Sequence, residues 1–316
     1  MKKSNIICWM LVILIMASCS KDEDKLIHGE PSEDNKNVLL SGEMNGVSVL
    51  IFGKNDNNQF VYKRRIDSGW SAQGRVTTEV EKGNYQFLFM KTDGINPSMT
   101  PTSLSANGTL FSDVSFSANI NTDSVNYVLP VEEIWLPETD ALAGKTYTIT
   151  ADTTIKSKLK RAVSQVGLHI KRGTSVNDSL PFTGNDNIMR HIREVKMDIL
   201  GVGKTVTAGG TPSGSSNTVY ISGNPKISDS GFAIFEGPFV FPPAPGGQTQ
   251  IKVTIIPKPG SPFPVLEYTT PASLVRNEKI DITLWITATY QFVDIEINMD
   301  VMPEAPAGTG DEGIWE

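Results

Sequence analysis

The chain has 316 residues, a formal net charge of −7 and two cysteines, Cys8 and Cys19, both near its start. An acidic balance without any Lys/Arg cluster excludes a phosphate-tracking groove for nucleic acid. With no cysteine after Cys19, the body of the chain can hold neither an intrachain disulfide nor a cysteine metal site, so its fold must rest on core burial.

Lys2-Lys3 precedes an apolar run from Ile6 to Met16, and Ala17-Ser18-Cys19 follows. The run is shorter than the about 20 residues that a membrane-spanning helix needs, and a basic start, short apolar core and small residues before a cysteine form a bacterial lipoprotein signal. Residues 1–18 are expected to be removed, leaving Cys19 as the lipid attachment site, its thiol carrying lipid and its amino group an acyl chain such as palmitate. Several acyl chains hold firmly because each buried methylene contributes about 0.8 kcal/mol. The acidic Ser20-Lys21-Asp22-Glu23-Asp24 resembles the surface-export signal of Bacteroidetes lipoproteins, which implies an outer-membrane lipoprotein exposed at the cell surface.

Residues 19–37 are polar, carry Pro31 and lack apolar periodicity, predicting an acidic flexible tether. Val47, Val49 and Ile51 then alternate, and Asn55-Asp56-Asn57-Asn58 supply turn chemistry before Phe60-Val61-Tyr62, predicting a hairpin. Tyr85, Phe87 and Phe89 alternate with Gln86, Leu88 and Met90, so that strand has two partly apolar faces and belongs at a sheet centre. Residues 92–125 are rich in Ser, Thr, Asn, Asp and Gly and suit loops and short edge strands.

Ala162, Val166, Leu168 and Ile170 predict a long strand that closes a first unit, 38–172, where Gly173–Asp178 break the pattern. A second unit, 173–316, resumes with Val195, Met197 and Ile199 and holds a Gly/Ser/Thr-rich flexible loop at 201–217. The cleanest alternations come last: Ile280, Ile282, Leu284 and Ile286, then Val293, Ile295, Ile297, Met299 and Val301 against Asp294, Glu296, Asn298 and Asp300. No segment keeps helical spacing over the ~12 residues a soluble helix prefers. The expectation is an all-β chain of two tandem antiparallel β-sandwich domains.

Chemistry-bearing patterns are sparse. His28 lies in the tether, and His169 and His191 sit in strand patterns with no partner at metal-ligand spacing, so they read as structural. Gly201-Val202-Gly203-Lys204-Thr205 ends like a phosphate loop, yet Asp198 stands where its first glycine belongs and no helix follows, which leaves a turn. Glu132-Glu133 and the acids of 294–300 read as solvated strand faces, and Asn55–Asn58 lacks the glycine and distal glutamate of a calcium loop. No catalytic residue, metal ligand or cofactor is expected.

Beyond the leader the tryptophans are Trp70, Trp135, Trp285 and Trp315. Trp285 shares parity with Lys279, Asp281 and Thr283 and so faces away from the Ile280/Ile282/Leu284/Ile286 row. Trp285 and Trp315 are the candidate exposed contacts, suited to a sugar platform or a subunit contact; for Trp285 a covering loop is the alternative.

The leader, the opening strand Val49-Leu50-Ile51-Phe52 with Asn55-Asp56-Asn57-Asn58-Gln59-Phe60-Val61, the Tyr85–Phe89 strand and Leu159-Lys160-Arg161-Ala162-Val163-Ser164-Gln165-Val166 together resemble the fimbrillin superfamily of Bacteroidales, closest to the FimB-like anchor lipoproteins of type V fimbriae. The resemblance implies two transthyretin-like sandwiches and a non-enzymatic subunit serving cell adhesion. It also implies partnership with other fimbrial subunits by strand addition, in which an unpaired sheet edge accepts a donated segment. Stalk subunits of that family lose an N-terminal strand to arginine-directed cleavage, whereas anchors keep it. Lys63-Arg64-Arg65 lies between predicted strands and offers Arg64 or Arg65 for such cleavage, although a solvated hairpin end fits the same residues. The tail Met302–Glu316 covers a groove, donates a strand or hangs loose. A glycan-binding surface lipoprotein is the alternative function.

Overall fold

The computed structural model describes residues 34–303 apart from 93, 123–126, 174–178, 181–187, 223–225, 228–232, 263 and 288–290. Cys19, the Ser20–Asp24 leader, His28 and Trp315 lie outside the described residues.

Period-two alternation becomes strand throughout, as an all-β reading requires. The first half holds β1 (Asn35–Ser41), β2 (Ser48–Lys54), β3 (Phe60–Ile66), β4 (Arg75–Glu81), β5 (Gly83–Thr92), β6 (Ser98–Thr100), β7 (Ser115–Ser117), β8 (Tyr127–Val128), β9 (Ile134–Pro137), β10 (Tyr147–Ile149), β11 (Thr153–Lys156) and β12 (Leu159–Arg161). A short helix, α1 (Asp140–Ala143), precedes β10, its first turn capped by the Thr139 hydroxyl, which accepts from the Leu142 N–H. The second half holds β13 (Ser164–Gly173), β14 (Ser179–Leu180), β15 (Ile192–Val202), β16 (Thr205–Thr207), β17 (Pro212–Ser213), β18 (Ser216–Ser222), β19 (Lys226–Ile227), β20 (Ala233–Phe235), β21 (Phe239–Val240), β22 (Thr249–Pro257), β23 (Leu266–Ala272), β24 (Glu278–Ile286) and β25 (Phe292–Val301).

A six-stranded sheet runs β12-β9-β5-β2-β3, with β10 added to β5, so the Tyr85–Phe89 strand is central as expected. Its β2–β3 hairpin turns at Asn55–Asn58: the Asn55 side chain accepts from the Gln59 N–H, and Asn58 takes a φ of 65°, which a short amide side chain tolerates. Both faces of this sheet are apolar. Val49, Ile51, Phe87, Phe89 and Trp135 face a core closed by the three-stranded sheet β11-β1-β4 through Val38, Leu40, Val80 and Ile155. Leu50, Phe52, Leu88, Met90, Ile134 and Leu136 face the other way, into a core that continues through the second half of the chain.

That second core lies between a seven-stranded sheet, β19-β20-β13-β24-β25 with β14 and β21 on β13, and a five-stranded sheet, β23-β22-β15-β18-β8. Val166, Leu168, Ile170, Ile280, Ile282 and Leu284 meet Val195, Met197, Ile199, Ile251, Val253 and Ile255 across it. Most pairings are antiparallel; β1–β11, β13–β24 and β18–β8 are parallel.

Three sequence expectations change. The strand expected to close the first unit is β13, and its hydrogen bonds go to β14, β20, β21 and β24, because its alternating row packs with the Ile280–Leu284 row. Residues 201–217 contain the β16–β17 hairpin, which joins β7 and β6 in a four-stranded sheet; Val206 and its register partner Phe116 are both fully buried, and two such anchors suffice to order a polar segment. The tether also ends sooner, since β1 begins at Asn35.

Arg276, in the turn before β24, ties these parts together. Its guanidinium donates to six carbonyls: Arg161 (2.9 Å), Glu138 (3.2 Å), Gly209 (2.7 Å), Leu136 (3.0 Å), Pro137 (3.0 Å) and Lys160 (2.8 Å). Desolvation lowers its pKa to about 10, against the pull of Asp140 and Glu138. Gly209 lies so close to the Asp140 backbone that a Cβ there would overlap it, so only glycine brings this loop within reach of the guanidinium. Arg276→Met, which strands several carbonyls without a donor, is expected to cost about 3–5 kcal/mol, measured by urea unfolding; Arg276→Lys, with three donors for six acceptors, should recover only part of it.

Candidate functional site

β25 forms the last strand of the seven-stranded sheet among the described residues, hydrogen-bonded on one side to β24. Its register sets Ile295 opposite Leu284, Ile297 opposite Ile282 and Met299 opposite Ile280, so its apolar row shares the core-facing side of the sheet. The row outruns its cover. Ile295 is half-buried, but Ile297, Met299 and Val301 are 39%, 56% and 69% exposed. Glu296 and Asp300 project from the opposite face. Among the described residues no strand pairs with the far side of β25, and a sheet edge with an apolar inner row and an acidic outer row is a template for an added strand.

The row leads to a cavity of about 490 Å³ lined by Met44, Trp135, Lys158, Leu159, Lys160, Asn277 and Val301, with Glu43 and Glu138 at its wall. Trp135 is 4% exposed, and the Arg161 guanidinium lies 4.1 Å from its ring centroid while pairing with Glu133 at 2.9 Å. The Trp135 indole N–H is buried with no hydrogen-bond partner among the described residues, as is that of Trp70. Arg161 also donates to the carbonyl of Pro303, and the Met302 N–H donates to Asn277 at 2.9 Å, fixing where the chain leaves β25.

At the other end of the chain, β1 lies between β11 and β4 with Val38 and Leu40 fully buried. Asp152 clamps its start, accepting from the Asn37 N–H at 2.9 Å and from the Asn37 side chain at 3.3 Å. These hydrogen bonds, the backbone one first, hold the Asp152 carboxyl below its ordinary range.

The residues singled out from sequence fall in different places. Trp285 does face away from the isoleucine row, yet it is fully buried: β24 is flanked by β13 and β25, and the Lys171 ammonium lies 5.3 Å from the ring. It is therefore not an exposed contact. Lys63-Arg64-Arg65 lies inside β3 rather than between strands; Arg64 donates to the Thr78 hydroxyl and the Glu79 carbonyl, and Arg65 pairs with Asp67 at 2.5 Å. His169 sits 3.7 Å from Asp281, its pKa lowered chiefly by burial. Gly201, with a φ of 79°, lies within β15 at a β-bulge between Leu200 and Val202, where the sequence predicts a turn. Among the described residues, no group of three or more His, Cys, Asp or Glu is arranged to hold a metal ion.

No protein-family model matches the sequence, and no curated protein is detectably similar to it. The fold, however, is found in solved structures. A Bacteroides thetaiotaomicron protein provisionally described as polysaccharide-binding superposes with a TM-score of 0.56 at 12% identity, over 85% of this chain and 99% of its own. One from Bacteroides ovatus provisionally described as an adhesin gives 0.53 at 12%, over 84% and 93%. The chain shares the all-β fold of these two structures. The fimbrial anchor protein Mfa2 from Porphyromonas gingivalis superposes less closely, at 0.48 and 13% identity over 84% and 97%.

Leu40→Ala in β1 is expected to destabilise the protein by about 2–5 kcal/mol, measured by chemical unfolding, because the site is closed on both sides. The Asp152 contribution is complete above its unfolded pKa of about 3.9 and is lost as pH falls through the lower folded value, so Asp152→Asn should flatten the acid limb of stability against pH.

Proposed function

We propose that the chain is a cell-surface subunit in fimbrial assembly and adhesion, held by lipid at Cys19 in the outer membrane and joined to neighbouring subunits by strand addition at β25. The open lip of β25 carries this reading. An edge that is last in its sheet among the described residues and presents a row of exposed Ile297, Met299 and Val301 fits an extended segment, whose alternate apolar residues would cover the row. The Bacteroides ovatus protein of like fold, described as an adhesin, supports the adhesive role. An anchor rather than a stalk position is favoured by β1: it follows the tether directly and is built into the first core, as a retained strand is. The role needs no catalytic residue or cofactor.

Polysaccharide binding is the second reading, favoured by the description of the Bacteroides thetaiotaomicron protein. A sugar platform needs coplanar exposed aromatic rings. Trp285 and Trp135 are buried, and the large exposed apolar side chains among the described residues are all aliphatic. Strand addition is the better supported.

Cys19→Ala is expected to move the protein from the membrane fraction to the medium, read by fractionation of cells; retention in the membrane would sink the tether. Met299→Glu, at an exposed position, should change the unfolding free energy by no more than about 0.5 kcal/mol. It should nevertheless lower recovery of co-purified subunits at least tenfold, and unchanged recovery would remove β25 as the docking edge.

A further inference from the structure

Asparagine followed by glycine is open to a covalent change that needs no enzyme, in which the glycine amide nitrogen attacks the carbonyl carbon of the asparagine side chain. Glycine permits it because no Cβ screens that nitrogen. The sequence holds two such pairs, Asn45-Gly46 and Asn107-Gly108, and all four residues are exposed. Exposure does not separate them; hydrogen bonding does.

At Asn107-Gly108 both reacting groups are held. The Gly108 N–H donates to the Ser105 carbonyl at 3.0 Å, and the Asn107 side-chain oxygen accepts from the Lys63 ammonium at 2.6 Å. The Asn107 N–H also donates to the Tyr62 carbonyl at 2.8 Å, which pins this turn to β3. In Asn45-Gly46, the turn between β1 and β2, neither the Gly46 N–H nor the Asn45 carboxamide has a hydrogen-bond partner among the described residues. Gly46 has a φ of 75°, and a Cβ there would meet only the Lys91 side chain, at 3.7 Å, so nothing crowds the turn from outside.

The turn is nevertheless anchored at both ends. Met44 and Val47 are buried, the Gly42 N–H donates to the Gly74 carbonyl at 3.1 Å, and Gly74 packs against the Met44 backbone. An extra main-chain atom between two fixed ends cannot be absorbed within the turn. It displaces the end of β1 or the start of β2.

We propose that Asn45-Gly46 is a spontaneous modification site of the folded protein, whose conversion loosens the seat of β1. The Gly46 nitrogen bonds to the Asn45 Cγ and gives its proton to water; the Cγ–Nδ2 bond breaks, and the amide nitrogen takes a proton from water and leaves as ammonia. A five-membered imide closes. Water then opens the ring at either carbonyl, giving aspartate or isoaspartate, with no oxidant, metal or second protein required. Both products place a new carboxylate near Glu43, and isoaspartate also adds a methylene to the main chain. The strand that feels it is β1, which supplies Val38 and Leu40 to the first core.

The test ages the chain from Cys19 onward, carrying Cys19→Ser, at mildly alkaline pH, both folded and in urea, and maps its peptides by mass spectrometry with isoaspartate detection. In the folded chain Asn45 is expected to convert about as fast as in urea, whereas Asn107 should convert at least tenfold more slowly folded than in urea. Equal protection of the two asparagines, or an Asn45 that converts only in urea, overturns the site. Hydrogen exchange then compares aged with fresh protein, and the amides of β1 are expected to exchange several-fold faster after ageing. Asn45→Gln cannot close the five-membered ring and should show no such change. A β1 that speeds up equally in Asn45→Gln, or in neither protein, overturns the loosening.

Discussion

The fold depends on one sheet having no face to give to water. In β2, Val49, Leu50, Ile51 and Phe52 are all buried, and in β5 Phe87 through Met90 are as well, so the six-stranded sheet must be covered twice. The small sheet β11-β1-β4 covers one face; the other opens into the core that runs between the two larger sheets. Without β1 the first cover loses its middle strand, and Val49, Ile51, Phe87 and Phe89 would face solvent. β1, the first strand of the described residues, is thus a structural member. Its parallel pairing to β11 and the burial of Val38 and Leu40 hold it in place.

Arg276 plays the matching part at the junction of the halves. Six backbone carbonyls from β9, β12, the turn after β9 and the loop before β17 converge on one planar group, a geometry that lysine cannot satisfy. Among the described residues no carboxylate forms an ion pair with it, and peptide dipoles solvate the charge. Four of these carbonyls belong to the short β9–β12 ladder and two to the adjoining turn and loop, and the guanidinium draws them together.

Much of this architecture was legible in the sequence because alternation is local. The β2–β3 hairpin, the central β5 and the long β13, β15, β24 and β25 all follow from period-two patterns and turn residues. What could not be read is which strands pair. The Ala162–Ile170 alternation says that a strand exists, but its union with β24 is settled by packing more than a hundred residues away. Trp285 shows the same limit, since parity assigns a face and says nothing of what lies over it. Arg276 carried no pattern at all: its role comes from carbonyls of residues 136–138, 160–161 and 209, and a lone arginine in a turn looks solvated. The lip was half visible. The apolar row of β25 was the cleanest alternation in the chain, and only the sheet order shows that its outer end runs past its cover.

The edges of this protein are treated unequally, and the difference bears on function. β3 ends the six-stranded sheet with exposed Lys63, Arg64 and Arg65, and Arg64 reaches across to the Glu79 carbonyl. β23 ends the five-stranded sheet with exposed Glu267, Thr269 and Pro271, and proline removes a backbone donor from the edge. Charge and proline are the usual means by which natural sheets discourage edge pairing. β25 uses neither on its inner row, where Ile297, Met299 and Val301 stand open to solvent. Its acids Glu296 and Asp300 are confined to the opposite face. The β3 and β23 edges thus carry the usual protection and the row of β25 does not, and this contrast is what the proposed docking at β25 rests on.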